Sequence, residues 1–342
     1  MGVFNLLKKT KSFDGMNSWQ RELKVDPVPA LLSLGNEAIK YFTMRDLLDK
    51  RVEPIEILWK LPEAKKILKK QQNDGSWEYP ATEKQKKSQV NYNQYETYKT
   101  LGELVEKYGF NREHQSIKKA AEFLFQFQTD EGDFRGIYAH QYSTTYSPAI
   151  MELLIKAGYD NDPRIFRGFD WLFSIRQDDG GWALPFRTVG EKIGDAFKSS
   201  DLIQPVKSKP FSHLVTAMVL RAFAAHPKYR KSDEAKKAGE LLISRFFKND
   251  KYPDRQNKNF WERVSYPFLY TDIISALDSL YFSGFNIKNP EIKGALQFLR
   301  DKQNENGNFN LKITRGRDKH LPYWICLAIC RLFKRYSLPH RG

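Results

Sequence analysis

The residues best able to do chemistry stand together in Tyr266-Pro267-Phe268-Leu269-Tyr270-Thr271-Asp272. A carboxyl enclosed among rings loses hydration, its pKa rises, and it can act as a general acid. Asp272 is therefore the candidate acid. The competing role is a helix N-cap, in which Thr271 or Asp272 bonds the first free N–H groups of the helix that follows. Glu96 is a further candidate, although a Glu in an early helical turn is ordinarily paired or exposed. Tyr92, Tyr95, Tyr142, Thr145, Tyr146, His213, Tyr266, Tyr270, Tyr323 and Trp324 stand at the starts of apolar helical stretches. Aromatic faces stabilise a cation by roughly 0.5–2 kcal/mol each, so the set suits a carbocation or a long hydrocarbon, or simply fills an interior. His213 has no H-x-x-H or E-x-x-H partner in the chain. No metal site and no cofactor are expected.

What must position these residues is a repeat. A phrase of Gln, acidic or amide residues, Gly and an aromatic occurs as Gln72 to Trp77, Gln128 to Phe134, Gln177 to Trp182 and Gln303 to Phe309. Upstream of each lies an amphipathic helical pattern: Ala64 to Gln72, Ile117 to Gln128, Ile165 to Gln177 and Ile292 to Gln303. In each, bulky apolar residues recur at steps of three and four. A fifth pattern, Ala235 to Phe247, keeps the helix and loses the Gln and Gly. Downstream come helices apolar on more of their circumference, expected over 92–107, 143–157, 212–225, 268–283 and 321–335, with a half-copy at 37–50. Gly109, Gly158 and Gly284 end three of them, as a left-handed cap requires.

The unit is thus a helical hairpin recurring about every 50 to 60 residues. Paired helices of this kind build an open solenoid or a closed ring. The enclosed helices are too apolar to line an open face, and neither end carries a polar cap repeat. The expectation is one all-α domain, a single α/α toroid of the (α/α)5–6 barrel type over residues 31–338, after an N-terminal extension at 1–30. One long interruption at about 183–210 exceeds the roughly 12–15 residues of ordinary loops. Its apolar stripe of Ile193, Phe197, Leu202 and Ile203 fits a flap over a cavity or against a membrane, or a plain insertion.

On these residues the chain resembles the QW-repeat proteins of the terpene cyclase and protein prenyltransferase superfamily. It looks nearest to uncharacterised single-toroid prenyltransferase-like proteins of bacteria and archaea, whose opening is similar to Tyr41-Phe42-Thr43-Met44-Arg45-Asp46-Leu47-Leu48. The resemblance spans residues 35 to 336. It implies a ligand cavity at the centre of an inner helical ring and an isoprenoid or other elongated apolar ligand. It also implies proton-initiated cyclisation or isomerisation if the chain is an enzyme. The departures are specific. No D-x-D-D occurs, no D-D-x-x-D occurs, and Ile274 stands two residues after Asp272 where a zinc triad needs Cys. Two other readings remain: a binding or scaffold protein with a filled cavity, and a glycan-active α/α barrel using Glu96 and Asp272 as a carboxylate pair.

The totals bound these readings. Across 342 residues, 24 Phe and 17 Tyr provide a ring-rich core. The net charge of +15 is spread over amphipathic segments beside Glu and Asp, which argues for solvated helix faces and against nucleic acid. A basic rim would suit peripheral contact with an anionic membrane surface or, in the scaffold reading, an acidic partner. Cys326 and Cys330, four apart in an apolar stretch, make neither a disulfide framework nor a metal quartet. A cytoplasmic location fits. Gly2 does not complete a myristoylation signal, because Leu6 stands where Ser or Thr is required.

Overall fold

The computed structural model describes residues 17–314 and 318–338, the side chains of Lys84 and Lys86 apart. The basic segment at 1–11 therefore lies outside the described residues. The chain runs through α1 (Glu37–Phe42), α2 (Pro62–Leu68), α3 (Tyr92–Tyr108), α4 (Gln115–Phe125), α5 (Tyr146–Leu154) and α6 (Pro163–Ser174). It continues through α7 (His213–Ala225), α8 (Asp233–Ile243), α9 (Ile273–Phe282), α10 (Pro290–Asp301) and α11 (Leu321–Ser337). Helices α1 and α5 extend through wider π-type turns at Thr43–Leu47 and Ile155–Tyr159. Short helical turns, among them Val28–Ser33, Pro185–Thr188 and Ile193–Ala196, and a two-residue parallel pair, β1 (Arg263–Val264) on β2 (Lys312–Ile313), lie before or between them. No helix among the described residues is long and apolar enough to cross a membrane.

Local chemistry starts and stops these helices. Asn91, Asp162, Ser212, Ser232 and Asn289 each accept a backbone N–H from the first turn of the helix they precede. Such a cap is worth about 1 kcal/mol. Gly109 ends α3 at φ +63°, and the Phe110 N–H closes back onto the Leu104 carbonyl.

The even-numbered helices bury one face, while α7 is buried at every residue from His213 to Ala224. Packing follows that contrast. Helix α1 lies against α3, α3 against α5, α5 against α7, α7 against α9, α9 against α11, and α11 returns to α1. Helices α2 and α4 pack on α3, α6 on α5, and α8 on α7.

The repeated phrase joins one hairpin to the next. The Gln128 carboxamide donates to the Gly132 carbonyl (2.8 Å) and to the Arg164 carbonyl in the first turn of α6 (2.7 Å). Gln303 donates to the Val25 carbonyl (2.8 Å), and its oxygen accepts the Lys24 and Val25 N–H groups. The last hairpin is thereby tied to the N-terminal segment, where Trp19 and Leu31 are buried in the core. The aromatics Trp77, Phe134 and Trp182 donate their backbone N–H to Thr97, Ser147 and Thr216 of the following helix. The Gln thus holds its own turn and reaches across to the neighbouring unit.

Three expectations change. The first copy begins at Gln71, not Gln72, because Gln71 donates to Gly75 (3.0 Å) and to the Ser116 carbonyl in α4 (2.7 Å). Helix α9 begins at Ile273 instead of Phe268, and residues 265–271 run as irregular chain with bends, the Tyr266–Pro267 bond being cis. In the fifth unit Trp261 takes the aromatic role, its indole N–H donating to the Lys248 carbonyl (3.1 Å) across a longer loop.

Candidate functional site

A cavity of about 690 Å³ opens at the N-terminal ends of the enclosed helices. Helix α3 supplies one wall as a single stripe at helical spacing: Tyr92, Tyr95, Lys99, Glu103 and Lys107. Tyr146 begins α5 opposite, and Tyr138 comes from the tight turn between Gly136 and Ala139. The irregular segment before α9 contributes Ser265, Tyr266, Pro267, Leu269 and Tyr270. Ile193 and Phe197 close one side from the long insertion, and Tyr79 lies beside Tyr92.

The rings hold one another edge to face. Tyr146 meets Tyr95 and Tyr98 at 5.8 Å and Tyr138 at 5.3 Å, all near-perpendicular. Tyr266 stacks on Trp324 at 5.5 Å with the planes 7° apart. Such pairs each add about 0.5–1.5 kcal/mol beyond burial, which fixes the wall's shape. Burial pushes the Tyr138 and Tyr146 hydroxyls far above the ordinary phenol range and Tyr266 up to about 12. These phenols stay protonated at neutral pH.

Charge gathers along the rest of the α3 stripe. The Lys107 ammonium bridges Glu103 (3.2 Å) and Asp318 (2.7 Å), and Lys99 pairs with Glu96 (2.7 Å). Burial raises the Asp318 carboxyl, but the Lys107 ammonium outweighs it and holds the group below its ordinary value. Asp318 is thus an ionised partner of a lysine and no proton donor at neutral pH.

Beneath the rings a polar network ties the irregular segment to the helices. Arg221 pairs with Glu152 (2.6 Å) and donates to the Phe268 carbonyl (2.7 Å). Lys156 bridges Glu152 and Glu106. Arg331 joins Asp46 to the Tyr266 hydroxyl, which donates in turn to the Glu106 carbonyl.

Five of the residues singled out in the sequence converge on the cavity: Tyr92, Tyr95, Tyr146, Tyr266 and Tyr270. Trp324 stands behind Tyr266. Thr145 backs the wall, donating to the Tyr138 hydroxyl (3.1 Å). Tyr142 turns away, hydrogen-bonding Glu131 and packing on Trp171. Tyr323 packs against the core outside the cavity lining. His213 is buried against Trp261, with its Nε2 3.6 Å from Asp250, and burial lowers its pKa. Glu96 is the ion-pair partner of Lys99. Among the described residues no three His, Cys, Asp or Glu side chains gather as a metal site.

Asp272 is the N-cap of α9. Its Oδ1 accepts the Ser275 N–H (2.8 Å), and it is 1% exposed. It is absent from the cavity lining. Burial pushes its carboxyl up to about 6, despite the Ser275 hydrogen bonds and the nearby Arg221 and Arg255. A raised folded-state pKa means that the folded protein holds the proton more tightly than the unfolded chain. Stability on this account is greatest below about pH 4 and falls as pH rises through 6, by on the order of 3 kcal/mol. Asp272→Asn keeps the capping oxygen without the buried charge. It should be more stable than wild type at pH 7, by about 1–3 kcal/mol, with the difference closing toward pH 4. Urea melts across that range measure it. A variant less stable than wild type at pH 7 would show that the charge itself is used.

Sequence reasoning missed Tyr79, Tyr138 and the charged half of the α3 stripe. Lys99, Glu103 and Lys107 were findable, because they continue the face of Tyr95 at four-residue steps. Tyr138 sits in a tight turn with no periodic signal.

No family model matches the chain, and no curated protein matches it. Among solved structures it is similar to two variants of the type II terpene cyclase MstE from Scytonema, each in complex with geranylgeranyl dihydroxybenzoate. The first is 13% identical over 82% of this chain and 85% of the other, with a TM-score of 0.44. The second is 12% identical over 79% and 94%, with a TM-score of 0.39.

Proposed function

We propose that the six enclosed helices form the inner ring of a single α/α toroid whose centre binds an isoprenoid or other elongated apolar ligand. The return of α11 to α1 and the grip of Gln303 on Val25 support closure of the ring. One observation carries the ligand: an open cavity of about 690 Å³ lined by seven tyrosines with Phe197, Pro267 and Leu269. That volume falls within the range of about 300–1,000 Å³ for small-molecule sites. The tyrosine rings suit a chain with few polar groups, while the ion-paired Lys99, Lys107, Glu103 and Asp318 line the charged side of the same cavity. Within this proposal Asp272 shapes the wall by capping α9 and donates no proton. A glycan-cleaving pair receives no support, because Glu96 and Asp272 do not line a common cleft.

Titration with farnesol, geranylgeraniol and straight-chain alcohols of matching length, followed by the fluorescence of Trp324, tests the proposal. Saturable binding is expected. Tyr146→Ala removes the ring that three other tyrosines meet and should weaken binding about tenfold, the equivalent of one lost ring contact. Tyr142→Ala should leave it unchanged. Equal weakening by both variants, or no saturation, would rule the cavity out as the binding site.

A further inference from the structure

We propose that the mouth of this cavity docks peripherally on an anionic lipid bilayer through the insertion at 183–209. Three of the six large apolar side chains most exposed among the described residues lie there: Val189 (46%), Ile193 (37%) and Val206 (37%). The Val206 N–H donates to the Thr188 hydroxyl (2.8 Å), which sets Val206 beside Val189. Ile193 is both exposed and part of the cavity wall, with Phe197 next to it. Ile193 thus belongs both to the outer surface and to the cavity wall.

Charge at the mouth complements an anionic surface. Lys192, Lys198, Lys207 and Lys209 are exposed, and no ion pair engages them among the described residues. Arg187, by contrast, is held in a two-point pair with Asp254 (2.5 and 2.7 Å). The carboxylates of the insertion, Glu191, Asp195 and Asp201, are exposed among these four lysines and leave an excess of one positive charge. Exposed Lys87 stands three residues before the wall residue Val90.

The surface is built in advance. Buried Gln141 donates to the Ala196 and Asp201 carbonyls and accepts the Ile203 N–H, clamping the insertion at three points. Its composition selects lipid over protein. Protein interfaces are enriched in Tyr, Trp and Arg and depleted in Lys, whereas here isolated Val and Ile alternate with lysines. Shallow apolar insertion together with lysines near anionic headgroups is the pattern of interfacial binding. The inference rests on the cavity reading only in its purpose, which is to let an apolar ligand pass from the bilayer into the ring.

Co-sedimentation with phosphatidylcholine vesicles, with and without phosphatidylglycerol, tests it on the full chain. Binding is expected only with phosphatidylglycerol and should weaken with added salt. The triple variant Val189→Ser, Ile193→Ser, Val206→Ser and the quadruple variant Lys192→Glu, Lys198→Glu, Lys207→Glu, Lys209→Glu should each lose about tenfold or more in partitioning. The control set Lys65→Glu, Lys66→Glu, Lys69→Glu, Lys70→Glu makes the same charge change on exposed positions in and just after α2 and should lose far less. Thermal melts verify that each variant is folded. Equal loss in the control would reduce the effect to bulk charge and overturn the proposal. So would absence of vesicle binding, or a wild-type dimer that the triple variant dissolves. Alcohol titration of the same variants separates the two ideas. Vesicle binding without saturable ligand binding would sink the cavity reading alone, and the reverse would sink the docking surface alone.

Discussion

Arg221→Met should destabilise the protein by about 3–5 kcal/mol, because it strips a buried carboxylate of its closest partner. Arg221 and Glu152 are 5% and 2% exposed, and their side chains approach to 2.6 Å. Burial raises the Glu152 carboxyl, but Arg221 and Lys156 outweigh it and hold the group below its ordinary value. A depressed folded-state pKa contributes stability above the unfolded value near 4.5 and loses it as pH falls through the folded one. Removal of Arg221 leaves Lys156 as the one strong partner and frees the Phe268 carbonyl. That carbonyl anchors the chain carrying Tyr266 and Tyr270, so ligand binding should fall with stability. The double variant Arg221→Met, Glu152→Met removes the stranded charge as well and should recover much of the stability. It should not recover ligand binding. Chemical denaturation of the cycle checks the first statement and alcohol titration the second. A double variant no more stable than Arg221→Met would mean that the pair's own attraction, and not the stranded charge, sets the loss.

The second large effect lies in the repeated phrase. Gly132 has φ +107°, and a Cβ there would stand 2.3 Å from the Arg167 carbonyl oxygen of α6. The obstacle is backbone, so no side chain can swing aside. Left-handed strain of about 1–3 kcal/mol adds to the displacement of α6. Gly132→Ala should therefore cost about 3 kcal/mol or more. Gly294→Ala is the matched comparison, since it is exposed within α10 with nothing within 4 Å of its added Cβ. It should gain about 0.5–1 kcal/mol. Thermal and urea melts of the two variants decide the matter. Similar changes in both would deny the phrase its role as the joint between hairpins.

Much of this architecture is legible from periodicity. Helical hairpins repeat because amphipathic and enclosed stretches alternate, and the Gln, Gly and aromatic mark each joint. Register was ambiguous where two glutamines adjoin. The structure selects Gln71, six residues before Trp77, as Gln128 stands six before Phe134 and Gln303 six before Phe309. The stretch from Phe268 reads as helix because it is apolar, yet Pro267 and the Asp272 cap delay α9 until Ile273. The site was half legible. Tyrosines opening helices could be found from spacing and Phe197 from the apolar stripe of the insertion, whereas Tyr138 reaches the cavity from the turn between Gly136 and Ala139, which carries no periodic signal. Asp272 drew notice as an acid by its type and neighbours. Its carboxylate oxygen is engaged by its own helix.

The most direct test of a ligand-binding ring centre is mass spectrometry of the organic extract of the purified protein, alongside that of a Tyr146→Trp, Pro267→Trp variant designed to fill the cavity. An elongated apolar molecule present in near-equal amount with the wild type, and missing from the folded variant, is the expected result. The same molecule on both proteins, or an extract containing none after exposure to farnesol and geranylgeraniol, would contradict it.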